Sequence, residues 1–339
     1  MEVRLLPPEP PARCRADARP RQWGSLSATG DDRVDAKKTR SSRRTLAVVV
    51  LAAGKGKRMR SASQKVLTPV CGRPALWHVL QTARAARPDR IVIVVGKQAD
   101  EVLTAVRSWR LKPQPVFVEQ GELLGTGHAV LMAERAVGRA DDVLVANGDF
   151  DPVTPEDVRA LLRTHRRTKS AASVLTTGLD DPGGYGRVVR NGGRLERIVE
   201  HADASPAERA IREVATNWVA FRRDDLYKAL PLVGRANRQR EHYLHDVYPI
   251  LADKGERISA LPADTGGAMG LNSRVGLAAV ERVVRARINE RHMRDGVTIV
   301  DPTTTYIDAG VRIGADTVLR PMTFLEGETR IGSGCEIGP

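Results

Sequence analysis

Cysteine, aromatic side chains and long apolar runs are all scarce in this sequence. The 339 residues include three cysteines, Cys14, Cys71 and Cys335, and no two of them have the spacing of a metal site or a disulfide framework. Aromatic residues make up 4% of the chain, which leaves few rings on which nucleic-acid bases could stack. No apolar run approaches the roughly 20 residues that cross a membrane. The composition therefore excludes a disulfide-rich scaffold and a membrane-spanning protein, and it disfavours a nucleic-acid-binding protein.

Positive charge is plentiful, since the formal net charge is +13. A basic chain favours an anionic partner, and nucleotide phosphates or nucleic acid would both satisfy it. Residues 1–44 are rich in Arg, Pro and Ser without periodicity, and they predict a disordered basic tail. The alternatives for this segment are a start site placed too early and an arginine arm that binds an acidic partner. The tail lacks the apolar stretch of a secretory signal, so a cytoplasmic location is expected.

The segment from Leu46 to Leu67, LAVVVLAAGKGKRMRSASQKVL, contains a glycine-rich loop. The apolar residues at its start predict a strand buried on both faces, as in a parallel sheet. Gly54 and Gly56 follow in a loop whose backbone N–H groups suit phosphate oxygens, and Arg58 and Lys65 add positive charge. The spacing matches neither the dinucleotide-binding fingerprint nor the P-loop. The segment indicates an anion-binding loop, with an ordinary strand-to-loop turn as the alternative.

Strand and helix patterns alternate after this loop. Strands are predicted at 91–95, 115–118 and 142–146, and helices at 75–86, 99–109 and 126–137. Repeated βαβ units predict an α/β fold with a doubly wound, mostly parallel, Rossmann-like sheet. Ligands bind such sheets at the carboxyl ends of the strands, where Gly54 and Asp149 both lie. Asp149 is therefore a candidate Mg²⁺ ligand, and the alternative is a loop Asp that caps the next helix.

The second half of the chain changes character. Further strands are predicted at 174–177, 186–189, 194–200, 214–221 and 257–261, with helices at 241–254 and 272–294. From Ile307 an apolar residue recurs at every sixth position, which is typical of a parallel β-helix. The predicted organisation is a tail at 1–44, an α/β domain at 45–271, a linker helix at 272–296 and a β-helix stub at 297–339.

Three stretches together resemble the signature of sugar-phosphate nucleotidylyltransferases of the MobA-like NTP transferase superfamily. They are LAAGKGKRM with the later QKVL, the turn GRP at 72–74, and EQ at 119–120 with LGTGHA at 124–129. The pattern is most similar to the N-terminal half of the bifunctional N-acetylglucosamine-1-phosphate uridylyltransferases/glucosamine-1-phosphate acetyltransferases. The resemblance implies a nucleotide-diphospho-sugar transferase fold followed by a short, left-handed parallel β-helix.

The same resemblance implies Mg²⁺-dependent transfer from UTP to a sugar-1-phosphate, either N-acetylglucosamine-1-phosphate or a related acceptor. The products would be a UDP-sugar and pyrophosphate. The β-helix has fewer than two coils here and lacks the acetyltransferase part, so no acetyl transfer is expected. The trimer-forming coils of the family are also missing, so a monomer or weak homo-oligomer is expected.

The resemblance also implies roles for individual residues. The catalytic candidates are Arg58 and Lys65, which would neutralise the triphosphate, and Asp149, which with Asn272 would hold Mg²⁺. Alone, Asn272 would be interpreted as a helix N-cap. Among the substrate-binding candidates, Gln120 would contact the uracil edge and Glu200 the sugar hydroxyls. The full set of these candidates is Leu51, Ala52, Ala53, Gly54, Lys65, Gln120, Gly125, Thr126, Asn147, Gly148, Gly186, Glu200 and Asn272.

Departures from the family pattern concentrate on the acceptor side. This chain has Asn147 for a Tyr, Asp151 for a Pro, Ala-Thr-Asn at 215–217 for Asn-Thr-Gly, and His-Tyr-Leu-His-Asp at 242–246 for Tyr-Tyr-Leu-Thr-Asp. In an extended segment Asp151 would point the same way as Asp149, where it would add a metal ligand or crowd the site. The nucleotide half is expected to be intact and the acceptor stays open. The alternatives are a non-catalytic nucleotide-binding sensor or interaction module, and a nucleic-acid binder suggested by charge alone.

Overall fold

The computed structural model describes residues 43–54, 64–267 and 270–339. The predictions made for residues 1–42 and for Arg58 lie outside the described residues. Arg43 and Arg44, the last two residues of the predicted tail, form ion pairs with Asp89 and Asp142. In the described ranges, no helix is both long enough and apolar enough to cross a membrane.

The α/β part of the chain contains eleven strands and eight α-helices within the described ranges. The strands are β1 Leu46–Ala52, β2 Pro69–Val70, β3 Arg73–Pro74, β4 Arg90–Val95, β5 Val116–Glu119, β6 Asp142–Asn147, β7 Ala172–Gly178, β8 Arg187–Asn191, β9 Arg194–Val199, β10 Glu213–Arg222 and β11 Ile258–Pro262. The helices are α1 Ala75–Arg84, α2 Asp100–Ser108, α3 Thr126–Met132, α4 Glu134–Val137, α5 Pro155–Thr168, α6 Pro206–Arg209, α7 Arg223–Ala229 and α8 Val247–Asp253.

Nine of these strands form one mixed sheet, in which the order β11-β7-β10-β6-β1-β4-β5 is extended by β8 and β9. Strand β1 lies inside the sheet and pairs in parallel with β4 and β6, while β5 continues the parallel part. Strand β10 runs antiparallel to β6, β7 and β8. The predicted α/β fold with a mostly parallel, doubly wound sheet is confirmed.

The valine-rich strand β1 is buried on both faces, as predicted. Val48 and Val50 pack into the core on one side of the sheet together with helix α1, whereas Ala47 and Val49 pack into the core on the other side with helix α3. Successive side chains of a strand point to opposite faces, so a continuous apolar run is what a strand between two helical layers needs. The sheet therefore carries helices on both faces and exposes its strand ends as the place for a ligand.

Two helix predictions differ from the structure. The helix predicted at 126–137 is split into α3 and α4, and the helix predicted at 241–254 is reduced to α8, after a 3₁₀ turn at Leu244–Asp246. The residues before that turn cannot be helical because the backbone of His242 is bonded elsewhere. Its N–H donates to Leu124 O over 2.8 Å and its carbonyl accepts from Gly127 N over 2.8 Å. Helix α5, which begins with a capping box formed by Thr154 and Asp157, was not among the predicted elements.

Helix α9, Arg274–Arg294, leads into strands of two residues each: β12 Thr298–Ile299, β13 Tyr306–Ile307, β14 Arg312–Ile313, β15 Val318–Leu319, β16 Phe324–Leu325, β17 Arg330–Ile331 and β18 Glu336–Ile337. They form three parallel ladders, β12-β15-β18, β13-β16 and β14-β17. Three ladders built from a six-residue repeat are the wall pattern of a short parallel β-helix, which confirms that prediction. The N-cap of α9 is Ser273, whose hydroxyl accepts from Gly276 N, so the interpretation of Asn272 as the cap is wrong.

The β-helix docks on the hairpin formed by β2 and β3, which follows Lys65 in the chain. Ala309 N donates to Cys71 O over 2.9 Å, and Arg73 pairs with Glu328. Gly72 has φ +74°, and a Cβ there would lie 2.2 Å from the Asp308 carboxyl group, so glycine permits this contact. Cys71 is buried in the same junction, as expected of a small apolar filler.

The buried carboxylate of Asp142 generates a prediction about stability. Its side chain is fully buried and accepts from Arg44 Nη2 and Arg166 Nε, each over 2.7 Å. We expect Asp142→Ala to lower the free energy of unfolding by about 3 kcal/mol, because it leaves both guanidinium groups without their acceptor. Urea denaturation measures the change. The control is Asp141→Ala, since that exposed carboxylate bonds only to Thr45 among the described residues and is expected to contribute about 1 kcal/mol. Equal losses in the two variants would contradict the assignment.

Candidate active site

A cavity of about 780 Å³ opens at the carboxyl ends of β1 and β6, where the predicted ligand site lies. Its wall includes most of the residues that the sequence predicts for substrate binding, catalysis or metal binding. Those on the wall are Leu51, Ala53, Gly54, Lys65, Gln120, Gly125, Thr126, Asn147, Asp149, Gly186, Glu200 and Asn272. Ala52 and Gly148 lie beneath the wall: Ala52 packs in the core under the sheet edge, and Gly148 N donates to Leu51 O over 2.8 Å. These two residues shape the edge of the site without lining it.

The floor of the cavity holds a three-residue polar centre. Lys65 Nζ lies 2.5 Å from Asp149 Oδ2 and 2.8 Å from Asn272 Oδ1. The side chains of Lys65 and Asp149 are only 11% and 21% exposed. Such a pair, removed from most solvent screening, is a strong local electrostatic feature. The structure thus brings together three of the predicted residues from distant parts of the chain.

Each member of this centre is positioned by a different element. Lys65 begins a 3₁₀ turn, Lys65–Leu67, that is anchored by the buried side chain of Val66. Asp149 follows the central strand β6, and its carbonyl accepts from Leu271 N over 3.2 Å. Asn272 comes next in the chain, immediately before the cap of α9. The backbone hydrogen bond between Leu271 and Asp149 therefore holds the side chains of Asp149 and Asn272 next to each other.

The donor set of this centre suits a hard divalent cation. Asp149 Oδ1 is buried and has no hydrogen-bond partner among the described residues, so this oxygen is available to bind a cation. It lies beside Asp149 Oδ2 and Asn272 Oδ1, which both contact the Lys65 ammonium. The described ranges contain no group of three His, Cys, Asp or Glu side chains that could hold a metal. A carboxylate with an amide oxygen is the sparse protein ligand set typical of Mg²⁺, which takes its other ligands from water and phosphate.

One lobe of the cavity is built around Gln120. Its side chain is 5% exposed, and its Nε2 donates to Gly125 O over 3.0 Å. Gly125 has φ +110°, and a Cβ there would lie 2.6 Å from the carbonyl oxygen of His242, so the chain requires glycine. Thr126 Oγ1 accepts from Leu244 N over 2.9 Å. These bonds give the lobe a fixed shape and hold the amide of Gln120 in one orientation.

His128 lies at the edge of the same lobe. Its Nδ1 lies 3.3 Å from Gln120 Nε2. Burial and the neighbouring His242 lower the pKa of His128, so the ring stays neutral near pH 7. A neutral ring beside Gln120 packs against the amide without adding charge to the lobe.

The opposite lobe is lined by Tyr185, Gly186, Glu200, Asn217 and His245. Burial raises the pKa of Glu200 to about 7, and the nearby Asp203, Asp246 and Glu241 carboxylates add to the shift. His245 Nδ1 lies 3.7 Å from Glu200 Oε1, and burial lowers the pKa of His245 to about 4. This lobe is therefore acidic and rich in hydrogen-bond acceptors. Asn217 and His245 belong to the departures from the family pattern, and the sequence alone gives neither of them a role.

Asp151 does not lie where an extended segment would place it. The intervening Phe150 has φ +60°, which turns the chain into the left-handed region. The side chain of Asp151 is 2% exposed, and its Oδ2 accepts from both Asn217 N and Asn217 Nδ2 over 2.9 Å. Burial raises the pKa of Asp151 to about 6, and the charge of Asp149 contributes to the shift. Among the described residues Asp151 is behind the cavity wall and Asn217 is on it.

Comparison with known proteins supports a nucleotidyltransferase family. Residues 48–217 match the MobA-like NTP transferase domain. The bifunctional protein GlmU of Geobacillus sp. is 45% identical over 294 residues, which cover 86% of this chain and 63% of that protein. GlmU of Halalkalibacterium halodurans is 46% identical over 294 residues, covering 86% and 64% of the two chains. The chain thus spans less than two thirds of the length of these relatives.

Solved structures share the fold at low sequence identity. A UDP-glucose pyrophosphorylase in complex with UDP-glucose matches 73% of this chain and 100% of its own, with a TM-score of 0.58 and 15% identity. A putative glucose-1-phosphate thymidylyltransferase from Bacillus anthracis matches 70% of this chain and 94% of its own, with a TM-score of 0.57 and 19% identity. These similarities confirm the nucleotidyltransferase-type α/β fold.

The raised pKa of Glu200 generates a prediction about stability and pH. Between about pH 4.5 and pH 7 the folded protein keeps a proton on Glu200 that the unfolded chain releases, so stability falls as pH rises through this window. Glu200→Gln removes this loss. Relative to wild type, the variant is expected to be about 1 kcal/mol more stable at pH 8 than it is at pH 4, allowing for solvent screening of a side chain that is 30% exposed. Chemical denaturation at both pH values measures the difference.

The control for this measurement is Glu213→Gln. The hydrogen bond from Arg190 lowers the pKa of Glu213, so its contribution has the opposite sign. That variant is expected to lose more stability at pH 8 than at pH 4, because the contribution of Glu213 decreases as pH falls toward its lowered pKa. If the two variants respond to pH in the same direction, the electrostatic account of this lobe is wrong.

Proposed function

This chain belongs to the MobA-like NTP transferase family, and we propose that it is a Mg²⁺-dependent nucleotidylyltransferase. The reaction is UTP plus a sugar-1-phosphate, N-acetylglucosamine-1-phosphate or a related acceptor, to a UDP-sugar plus pyrophosphate. The observation that carries the proposal is the Lys65–Asp149–Asn272 centre on the cavity floor, between two lobes of different chemistry. One lobe accepts the nucleoside and the other the sugar, so both phosphate groups meet at the centre.

The chemistry requires neutralisation of charge more than it requires a nucleophilic side chain. An oxygen of the sugar phosphate attacks the α-phosphorus of UTP, the bond to the β-phosphate oxygen breaks, and pyrophosphate leaves. Lys65, held at the floor by two oxygen acceptors, presents a fixed positive charge to the phosphates. Arg58, which lies outside the described residues, is proposed to share this role because it belongs to the matching loop motif. Precise placement of the two phosphates supplies much of the acceleration.

Mg²⁺ fits the centre on the evidence of its donor atoms. Asp149, with a buried and unpartnered Oδ1, and Asn272, with an amide oxygen directed to the same point, would hold the ion. When bound, the ion would neutralise phosphate oxygens and help to orient them. Asp149 is thus assigned both to metal binding and to catalysis.

The nucleoside is proposed to lie in the lobe of Gln120, Gly125 and Thr126. Because Gln120 Nε2 already donates to Gly125 O, the acceptor Oε1 is left for the ligand. Uracil carries a ring N–H that can donate to such an acceptor. Leu51, Ala53, Gly54 and Asn147, on the adjacent strand ends, would lie against the nucleotide.

The acceptor is proposed to lie in the opposite lobe. Gly186 lies on the cavity wall and is proposed to contact the sugar or its phosphate. Glycine permits the close packing of Ile198 there, because a Cβ would lie 2.9 Å from that side chain. Glu200 faces the same space and is proposed to accept hydrogen bonds from sugar hydroxyl groups.

The activity is tested by measuring pyrophosphate release from UTP with a panel of sugar-1-phosphates, with and without Mg²⁺. We expect turnover with at least one member of the panel and none after chelation of the metal. Absence of turnover with every acceptor would refute the enzymatic proposal.

A variant prediction follows from the polar centre. Asp149→Asn removes the negative charge that pairs with Lys65 and would hold the metal, so kcat/KM is expected to fall by about 100- to 1,000-fold. Steady-state pyrophosphate release measures the loss, and the melting temperature shows whether the variant is folded. Asp224→Asn is the matched control, because that carboxylate is 72% exposed on α7. An Asp149→Asn enzyme with activity near that of the control would contradict the role of Asp149.

A further inference from the structure

We propose that Asn217, oriented by the buried carboxylate of Asp151, is a specificity-determining residue that accepts a hydrogen bond from the acceptor sugar phosphate. The inference rests on the proposed function, because it takes the lobe opposite Gln120 as the acceptor site. It predicts that the bound acceptor presents a hydroxyl or N–H group to the wall formed by residues 215–217.

The backbone of β10 is irregular where Asn217 lies. Ala215 pairs with Thr176 and Val219 pairs with Val174, so four steps along β10 correspond to only two along β7. Such a bulge takes residues out of the ladder and redirects their side chains. The N–H of Asn217 donates instead to Asp151 Oδ2 over 2.9 Å. The irregularity therefore frees the backbone of Asn217 to bind a side chain rather than a neighbouring strand.

Asp151 sets the orientation of the Asn217 amide. Nδ2 of Asn217 donates to the same Oδ2 atom over 2.9 Å, so this carboxylate oxygen accepts two hydrogen bonds from one residue. A carboxylate oxygen selects the NH₂ end of an amide, and the carbonyl end then points away. Asp151 is 2% exposed behind the wall, whereas Asn217 lines the cavity. The atom left for a ligand is thus Asn217 Oδ1, which receives no hydrogen bond from any residue within the described ranges.

The cost of the arrangement argues against a packing role alone. Burial of a carboxylate is unfavourable, and here a second carboxylate, Asp149, lies close by. Asp151 Oδ1 is also buried without a hydrogen-bond partner in the described part of the chain. An apolar side chain would fill the same space at lower cost. Strained or costly polar arrangements of this kind concentrate at functional sites.

The surroundings of Asn217 indicate which chemical group the ligand must bring. Ala215, on the same wall, offers only a methyl group, and Glu200 across the lobe is a further acceptor. Neutral His245 adds no positive charge. A ligand that meets Asn217 Oδ1 here must therefore be a hydrogen-bond donor, as the hydroxyl and N–H groups of a sugar or amino sugar are.

The test uses UTP with N-acetylglucosamine-1-phosphate and with glucose-1-phosphate as acceptors. Asn217→Gly deletes Oδ1, the oxygen that accepts the hydrogen bond. We expect the KM of the better of the two sugar-1-phosphates to rise about tenfold, which corresponds to the loss of one hydrogen bond. The KM of UTP is expected to stay within twofold, and so is the Mg²⁺ concentration for half-maximal activity. Asn191→Gly, at an exposed strand end away from the cavity, is the matched control.

A double-mutant cycle tests whether Asp151 acts through Asn217. Asp151→Ala is expected to raise the acceptor KM several-fold in wild type and to have no further effect in Asn217→Gly. Melting temperatures accompany each variant, since loss of Asp151 also changes packing. If Asn217→Gly does not fold, Asn217→Ala, which likewise has no side-chain oxygen, is expected to show the same rise in acceptor KM.

Three outcomes would overturn the inference. An unchanged acceptor KM in an active Asn217→Gly enzyme would show that Oδ1 does not contact the acceptor, while leaving the proposed function intact. A raised Mg²⁺ requirement with unchanged acceptor KM would place Asn217 at the metal instead. Absence of wild-type turnover with any sugar-1-phosphate would refute the proposed function itself and this inference with it.

Discussion

The contact of one lysine with two oxygen-bearing side chains is the constraint on which the site depends. The Lys65 side chain is 11% exposed, and its ammonium nitrogen lies 2.5 Å from Asp149 Oδ2 and 2.8 Å from Asn272 Oδ1. A cation so far from solvent is stable only where its counter-charges are fixed in place. The three elements that carry these residues must therefore keep their relative positions. Strand β6, the start of α9 and the turn after the glycine loop meet here, and the cavity forms around them.

The two lobes of the cavity differ because different physical constraints shape them. Around Gln120 the wall is fixed by backbone hydrogen bonds and by a glycine at which no Cβ fits, so that lobe has little freedom to change. The other lobe depends on side chains: Glu200, His245 and Asn217 set its charge and hydrogen-bonding capacity. We propose that substitutions there alter selectivity without removing the fold. This asymmetry explains why departures from the family pattern are compatible with an intact polar centre.

The sheet could be predicted from the sequence, because each buried strand is a continuous apolar run. Strand β1 and the ends of β4 and β6 lie close to their predicted positions. The three residues of the polar centre could be predicted only from the resemblance of their motifs to the family pattern. Contacts between distant segments outside those motifs could not be predicted. The residues before α8 are held by bonds to 124–127, which no local propensity reveals. The Asp151–Asn217 pair joins positions 66 residues apart and needs both a bulge and a left-handed Phe150.

The central claim is that the two phosphates meet at the Lys65–Asp149–Asn272 centre and react by direct displacement. Exchange of radiolabelled pyrophosphate into UTP tests it most directly. Direct displacement predicts two results when Mg²⁺ is present. Label enters UTP in a mixture of enzyme, labelled pyrophosphate and the UDP-sugar. No label enters UTP in a mixture of enzyme, labelled pyrophosphate and UTP. Exchange without any sugar compound would reveal a covalent uridylyl-enzyme and contradict the account. Absence of exchange even with the UDP-sugar would contradict it as well.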